Sequence, residues 1–140
     1  MFIKQVSVFL ENETGRLSDY TKILTDNHID MKAVCIADTV DFGILRCIVD
    51  DPEKAVNVLN ENGFTASITT VLAVSFENVH GALHSVLEKL ADEDIGVDYI
   101  YSMIRSETGK AALIFKVGDP EKAGEVLKEN NISLLCMKDI

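Results

Sequence analysis

The apolar and polar positions of the chain change period in a regular order. Residues 3–10 form an apolar run with β-branched side chains, and residues 31–37 and 42–49 form two more, so each predicts a strand. Between the first two runs, apolar residues recur at helical spacing and predict a helix over about 15–27 with one buried face. The residues of that face are Leu17, Tyr20, Ile23 and Leu24.

A second helix and a fourth strand complete this pattern. Asp51-Pro52 predicts a helix start, because Asp accepts hydrogen bonds from free backbone amides and Pro is tolerated at the first helical position. Asn62-Gly63 predicts a left-handed helix end, and residues 64–69 predict the fourth strand. The predicted order is βαββαβ.

The second half of the chain repeats the first. Asp51-Pro52-Glu53-Lys54-Ala55 recurs as Asp119-Pro120-Glu121-Lys122-Ala123, and Glu11-Asn12-x-x-Gly15-x-Leu17 recurs as Glu77-Asn78-x-x-Gly81-x-Leu83. A small difference in spacing fits a longer turn at residues 106–110. The repeat predicts strands at 71–76, 97–103, 111–117 and 133–138, with helices at about 81–91 and 120–130. The chain is therefore predicted to hold two modules, 1–69 and 70–140.

Four strands with two helices on one face form a ferredoxin-like α+β arrangement. The sequence thus predicts two tandem ferredoxin-like modules. No linker separates them, because the strand at 64–69 runs almost directly into the strand at 71–76. We therefore expect the modules to share an interface or to exchange a strand.

Composition excludes several classes of function. The 140 residues include 13 Lys and Arg against 23 Asp and Glu, a formal charge of −10, which disfavours binding to nucleic acid or to an anionic membrane. With 6% aromatic residues, an RNA-recognition sheet is also disfavoured. The chain has neither a signal-peptide pattern nor an apolar stretch of membrane-spanning length, so we expect a cytoplasmic protein.

The three cysteines predict no disulfide framework or thiolate zinc site, because their number is odd and they form no C-x-x-C pair. Cys35, Cys47 and Cys136 match the apolar residues Tyr101, Phe115 and Ile68 of the other repeat. We expect reduced thiols in the core. No cofactor is predicted, since the sequence has no phosphate-binding loop, nucleophile elbow or H-E-x-x-H pair.

His80 and His84 are four residues apart and admit three interpretations. They could share a helix face and hold a metal ion, although completing ligands are weakly specified. An ordinary polar helix cap and direct contact with a small ligand are the alternatives. The sequence leaves all three open.

The loop Glu-Asn-x-x-Gly-x-Leu stands before the first helix of each repeat. Gly15 and Gly81 would let a ligand approach the backbone, and the first helical amides could hold a carboxylate. The side-chain amides of Asn12 and Asn78 donate and accept, which suits an amino acid. A plain strand-to-helix turn, with Leu17 or Leu83 in the core, explains the same residues equally well.

These loops resemble those of the ACT domain, a βαββαβ small-molecule sensing module that regulates amino-acid metabolism. The resemblance rests on Asn12-Glu13-Thr14-Gly15-Arg16-Leu17 and Asn78-Val79-His80-Gly81-Ala82-Leu83, on the element order and on the tandem arrangement. Many family members have Pro before the Gly, where this chain has Thr14 and His80. The family pairs modules side by side, with sheets extended and helices on one face, and binds amino acids at the junction.

The resemblance implies two ligand sites of unequal composition, since Arg16 matches Ala82 and Thr14 matches His80. Each site would be closed by strand-start residues of the neighbouring module. One loop would contribute Asn12, Thr14, Gly15, Arg16 and Leu17. The other would contribute Asn78, His80, Gly81, Ala82 and Leu83. The closing strand-start residues are Asp30 and Met31, with Gly96 and Val97.

The expected function is that of a non-catalytic regulatory protein. It would bind a free amino acid, with the carboxylate at a Gly helix start and the ammonium at Asn12 or Asn78 and Asp30. We expect a homodimer with allosteric output to a regulated enzyme in trans. The alternative is a purely structural association module. An acylphosphatase-type enzyme is disfavoured, because Arg16 occurs in one loop only and no second catalytic group follows it.

Overall fold

The computed structural model describes residues 2–38, 41–104 and 107–140. The first half holds β1 (Ile3–Glu11), α1 (Arg16–Asp26), β2 (Met31–Asp38), β3 (Phe42–Val49) and α2 (Pro52–Glu61). The rest holds β4 (Thr65–Glu77), α3 (Ala82–Asp92), β5 (Val97–Ser102), β6 (Lys110–Val117), α4 (Pro120–Glu129), β7 (Ser133–Leu135) and a 3₁₀ turn at Met137–Asp139. This order confirms two successive βαββαβ patterns. The turns predicted at 38–41 and 106–110 lie partly outside the described residues.

The chain divides into two compact units. Module 1 is Lys4–Thr69, and module 2 is Thr70–Ile140 together with the amino-terminal residues up to Ile3. The strand order is β2-β3-β1-β4 in module 1 and β7-β4-β6-β5 in module 2. Both are the ferredoxin-like order that the repeat predicts. None of the helices described in either module is long and apolar enough to cross a membrane.

Strand β4 joins the two predicted halves without a break. The separate strands predicted at 64–69 and 71–76 are one strand of thirteen residues. Its first part lies beside β1, where the hydroxyl oxygens of Ser7 and Thr69 are 2.8 Å apart in a hydrogen bond. Its second part pairs antiparallel with β6 and β7. The boundary between the modules, at Thr69 and Thr70, therefore falls inside a strand.

The helices of each module cover one face of its strands. Alternate strand residues point toward the helices because successive side chains of a strand point to opposite faces. In module 1 the cluster combines strand, α1 and α2 residues: Val6, Val8, Leu10, Leu45, Cys47, Tyr20, Leu24, Ala55 and Leu59. In module 2 the matching cluster contains Leu72, Val74, Phe115, Val117, Val86, Leu90, Ala123 and Leu127.

The repeated Asp-Pro-Glu-Lys-Ala segment performs the same local task twice. Asp51 Oδ1 accepts a hydrogen bond from Lys54 N at 3.1 Å, and Pro52 occupies the first turn of α2. Lys54 Nζ donates to Asn27 O at 2.7 Å, at the carboxyl end of α1, where a cation is favoured. Asp119 and Lys122 repeat both bonds in module 2, the latter donating to Glu93 O at 2.6 Å. The segment thus begins one helix and caps the preceding one.

The cysteines differ in environment. Cys47 is fully buried, as predicted, and accepts a hydrogen bond from Tyr20 Oη at 2.8 Å. Burial raises the pKa of the Cys47 thiol to about 11. Cys35 and Cys136 are only half-buried, so the prediction of core thiols is wrong for both. Cys35 lies on β2, at one end of the strand order, and Cys136 lies after the last residue of β7.

The last strand is shorter than predicted. β7 ends at Leu135, whereas the pattern of the repeat predicts a strand over 133–138. The Asp139 carboxylate accepts a hydrogen bond from Cys136 N at 2.8 Å, and Asp139 N donates to Cys136 O at 2.9 Å. These local bonds replace strand pairing. They also hold the pKa of the Asp139 carboxyl below its usual value.

Candidate functional site

The two loops before α1 and α3 have the same backbone hydrogen bonds. Asn12 N donates to Asp41 O at 3.1 Å, and Asn78 N donates to Gly109 O at 2.9 Å. The first helical residues, Arg16 and Ala82, each donate at 3.2 Å to a carbonyl three residues earlier. Each loop is therefore tied to the neighbouring strand turn and reaches its helix through one tight turn. Equivalent residues of the two loops occupy equivalent positions.

Gly15 and Gly81 stand at the N-caps of α1 and α3 in a left-handed conformation. Their φ angles are 88° and 84°, values that glycine adopts far more readily than residues with a Cβ. Open space surrounds the position where a Cβ would lie, so the backbone angle, rather than crowding, favours glycine here. The sequence prediction placed these glycines inside the helices. The structure places them immediately before.

The four α-helices in the described part of the chain fall into two classes by their first turn. Side chains cap α2 and α4, through Asp51 and Asp119. No side chain caps α1 or α3. The first amides of a helix have no partner within the helix, and the helix dipole adds partial positive charge there. The starts of α1 and α3 can therefore accept an anionic group from outside the chain, such as a carboxylate.

The predicted polar residues of both loops reach solvent. Asn12, Thr14, Asn78 and His80 are all exposed. Asn12 also takes part in interactions within the chain. The structure therefore brings the Asn and Gly of each motif into one accessible loop at a helix start.

The two leucines of the motif differ. Leu83 is half-buried and packs against the core cluster of module 2. Leu17 is 44% exposed, so the expectation that it serves the core fails in module 1. The first loop therefore presents Leu17 to solvent, whereas the second loop presents Val79, which is 65% exposed.

Arg16 contacts its own module. Its guanidinium carbon lies 3.8 Å from the centre of the Phe64 ring, and Nη2 donates to Gly63 O at 3.4 Å. A cation over an aromatic face is stabilising, and Gly63 follows the carboxyl end of α2, where positive charge is favoured. In module 2 the matching positions are Ala82 and Ile132. Arginine and aromatic ring are thus replaced together.

The strand-start residues lie away from the loop of their own module. Asp30 and Met31 follow the carboxyl end of α1, whose eleven residues span about 16 Å from Gly15. Asp30 N donates to Asp50 Oδ1 at 3.0 Å, and the Asp30 carboxylate lies 2.7 Å from Lys32 Nζ. Gly96 and Val97 follow α3 in the same way. Neither module brings its own strand start to its own helix start.

Charge around the two loops also differs. Glu77, at the end of β4, pairs with Lys110 of β6, whereas Glu11 pairs with Phe42 of β3. The pKa of Lys110 is raised, chiefly by its hydrogen bond to Glu107 and also by Glu77. A cation therefore stands beside the second loop at a position where the first has an aromatic ring. Lys110 and Phe42 can be read in the sequence, but only the strand register shows that each lies beside a loop.

The pair His80 and His84 does not form part of a metal-ligand cluster in the described chain. Both side chains are exposed. Across residues 2–38, 41–104 and 107–140, no group of three His, Cys, Asp or Glu side chains could hold a metal ion. The interpretation as a polar helix cap is wrong, because no side chain caps α3. Direct contact with a small ligand stays a prediction for these two residues.

A depression of about 450 Å³ in module 2 was missed by the sequence analysis. It is lined by Phe2, Thr70, Gly118, Asp119, Pro120 and Glu121. It lies at the start of α4, where the Asp119 carboxylate already accepts a bond from Lys122 N. Because Asp119 and Glu121 add negative charge, this depression is less suited to a carboxylate than the loop at Gly81.

Comparison with known proteins places the chain in a family. A model of the ACT domain pair matches residues 1–140. The solved structure of protein BT0572 from Bacteroides thetaiotaomicron is similar, with 42% identity, a TM-score of 0.93, and coverage of 99% of this chain and 95% of that one. The regulatory subunit of aspartate kinase from Thermus thermophilus shares the fold at 11% identity, with a TM-score of 0.64 and coverage of 90% of both chains.

No curated protein matches the chain. The matched family model covers both modules and both glycine loops. The chain therefore belongs to the ACT-domain family, as a tandem pair of these regulatory modules.

Proposed function

We propose that the chain is a non-catalytic regulatory protein that binds a small ligand, a free amino acid, at the starts of α1 and α3. One observation carries the proposal: among the α-helices that the structure describes, α2 and α4 are capped by an Asp side chain, whereas α1 and α3, which follow the family motif, are not. The ligand carboxylate accepts hydrogen bonds from the second and third amides of the helix, because the first already donates within the loop. Asn12 or Asn78 holds the ammonium group.

The two sites have unequal properties. The first is built from Asn12, Thr14, Gly15, Arg16 and Leu17. The second is built from Asn78, His80, Gly81, Ala82 and Leu83. The first turn of α1 carries the acidic Asp19, whereas the first turn of α3 has no acidic residue. Because Asp19 repels an anion at the start of α1, the second site binds the carboxylate more tightly.

The protein acts in the cytoplasm as a homodimer, and ligand binding changes its contact with a regulated enzyme in trans. The regulatory character of the family and the likeness to an aspartate kinase regulatory subunit support this output. Allosteric output requires that the ligand bind two states of the protein unequally. The competing function is a structural association module whose loops bind no ligand.

Thermal melting against the free amino acids tests the proposal. A ligand that binds only the folded state, at 100 times its dissociation constant, adds about 2.7 kcal/mol of stability. We expect one or two amino acids to raise the melting temperature. Asn78→Ala should abolish most of the shift and Asn12→Ala a smaller part.

Asp51→Ala and Asp119→Ala are matched controls, because they alter helix starts that are not proposed to bind. These variants should melt lower but keep the full ligand shift. A panel in which no amino acid stabilises the wild type would favour the structural association module. A shift of equal size in both Asn variants and the wild type would refute the site.

A further inference from the structure

Module 1 has an apolar patch on the sheet face that its helices do not cover. In the antiparallel register of β1 and β3, Phe9 lies opposite Ile44, and Phe42 lies two residues earlier on the same face of β3. Val8 and Leu45, which point to the other face, belong to the helix-covered core. The rings of Phe9 and Phe42 stack with their centres 4.8 Å apart. Phe9, Phe42 and Ile44 are called the aromatic patch below.

The aromatic patch is open to solvent. Phe9 is 44% exposed, and Phe42 and Ile44 are each 38% exposed. Farther along the same face, Gln5 and Ile48 are completely buried. The exposed apolar surface therefore lies at one end of this face, the end from which the chain enters the loop before α1.

Module 2 forms the same fold without this patch. The three matching positions are occupied there by Ser75, Lys110 and Ala112. Ser75 lies opposite Ala112, as Phe9 lies opposite Ile44, so the strand register is the same. The fold therefore does not require large apolar side chains at these positions. Exposed apolar side chains that cluster without serving the fold mark an interaction surface.

The exposed charge around the aromatic patch is negative. Glu11 lies opposite Phe42 on the same face, Asp41 precedes Phe42, and both acidic residues are exposed. Arg46, the next residue of β3 on this face after Ile44, is half-buried and takes part in interactions within the chain. A second copy of the chain, with a net charge of −10, would bring more negative charge to this border. Positive charge on a partner is the complement.

We propose that the aromatic patch docks the regulated enzyme in trans, through a surface of that enzyme with an apolar centre bordered by Lys or Arg side chains. This rests on the proposed regulatory function and assigns the surface that transmits it. Aromatic residues are enriched in the buried centre of protein interfaces, and charges at the rim determine partner choice. Asn12 N donates to Asp41 O at 3.1 Å, so a hydrogen bond joins the first ligand loop to the border of the patch.

Probe peptides test the chemistry of this surface. One peptide alternates leucine with lysine, a second has glutamate in place of lysine, and a third has serine in place of leucine. Fluorescence anisotropy with the full chain should show the leucine–lysine peptide binding at least about tenfold more tightly than the other two. Glu11→Lys/Asp41→Lys should reverse the preference between lysine and glutamate. Equal binding of all three peptides would overturn the proposal.

Phe9→Ser/Phe42→Lys gives module 1 the residues found in module 2, so the variant should fold. It should weaken binding of the leucine–lysine peptide by at least about tenfold. The matched control is Val34→Ser/Ile36→Lys, which makes the same change of charge at exposed apolar positions of β2 that point to the other face. Equal losses in the two variants would show a general charge effect and would overturn the docking surface.

Two further measurements separate this surface from other roles of the same residues. Sedimentation of Phe9→Ser/Phe42→Lys should match that of the wild type, whereas a fall to the 15.4 kDa chain mass in this variant alone would show that the patch joins two copies and would overturn the proposal. The variant should also keep the wild-type melting shift with amino acids. Loss of that shift would assign the patch to the ligand site instead. A wild type that no amino acid stabilises would refute the ligand site, whatever the peptides show.

Cross-linking in cells tests the partner itself. A photo-reactive benzophenone side chain in place of Phe9 should link to a segment of an enzyme in which Lys or Arg flanks apolar residues, as identified by mass spectrometry. The same group in place of Ile36, on the other face, should not capture that segment. Linkage of Phe9 to a second copy of this chain, or to an acidic segment, would contradict the proposal.

Discussion

At one pair of facing core positions, the two modules differ in which element supplies the aromatic ring. In module 1 the ring is Tyr20 on α1, facing the small Cys47 on β3, and Tyr20 Oη donates to Cys47 Sγ at 2.8 Å. At the matching positions of module 2, α3 supplies the small Val86 and β6 supplies Phe115. All four side chains are buried. The same backbone arrangement thus accepts one aromatic ring from either layer.

This exchange teaches that the fold requires a pair of side chains of suitable combined volume, and that neither position alone must be large. Interiors are close-packed, so a small residue on one layer requires a large one opposite. The polar oxygen of Tyr20 adds a further requirement, because a buried hydroxyl needs a partner. Cys47 provides that partner. Phe115 has no hydroxyl and needs no hydrogen-bond partner.

The largest effect is expected when this pairing is broken in module 1. Tyr20→Val leaves a cavity beside Cys47 and should lower the free energy of unfolding by about 3 kcal/mol. The double variant Tyr20→Val/Cys47→Phe rebuilds the pair found in module 2 and should recover about 1 kcal/mol or more. Urea unfolding measures both. Effects that simply add, with no recovery, would show that the two positions are independent.

The buried thiol of Cys47 should make the core of module 1 sensitive to alkali. Because the pKa of Cys47 is raised from 9.0 to about 11, the neutral thiol is favoured in the folded state. This stability is fully present below pH 9.0 and is lost as the pH rises through about 11, an effect of about 2 kcal/mol. Urea unfolding between pH 8 and pH 11 measures it.

Cys47→Ala is the control for that experiment, because it removes the titrating group and should flatten this part of the pH profile. Cys35→Ser leaves the buried thiol in place and should keep the wild-type slope. The assignment to Cys47 fails if Cys47→Ala and the wild type lose stability in parallel.

The smallest effects concern the capped helices, where the modules should behave alike. Asp51→Ala and Asp119→Ala each remove a side chain that accepts an amide at 3.1 Å. Each should cost about 1 kcal/mol, and the two costs should agree closely. Thermal melting compares them, and a several-fold difference would mean that the repeated segment is not equivalent in the two modules.

Most of the fold could be predicted because the two repeats of the chain can be compared with each other. The repeated Asp-Pro pair and the glycine loops gave each module its element order, and the match of Cys47 with Phe115 gave a buried thiol. The continuity of β4 could also have been predicted, since Thr65 to Glu77 contains no Gly, Pro, Asn or Asp. The end of β7 could not, because the bond between Asp139 and Cys136 competes locally with strand pairing.

The candidate site was predicted less completely. Gly15 and Gly81 were identified from sequence, since a left-handed position favours glycine. The contact of Arg16 with Phe64 joins residues far apart in the chain, and local spacing gives no sign of it. A signal was present in the repeat, where Ala82 and Ile132 replace both residues together. Two residues that are both replaced in the other repeat can therefore indicate a contact that hydrophobic periodicity does not predict.

The undivided strand β4 limits how this protein can be dissected. A chain ended at Thr69 would stop in mid-strand, and a chain begun at Thr70 would lack the residues that precede it in the same strand. Truncation is tolerated where few backbone hydrogen bonds are lost, and this boundary is the opposite case. The two repeats can therefore be recognised separately in the sequence, but neither is expected to fold alone when the chain is cut at the boundary between them.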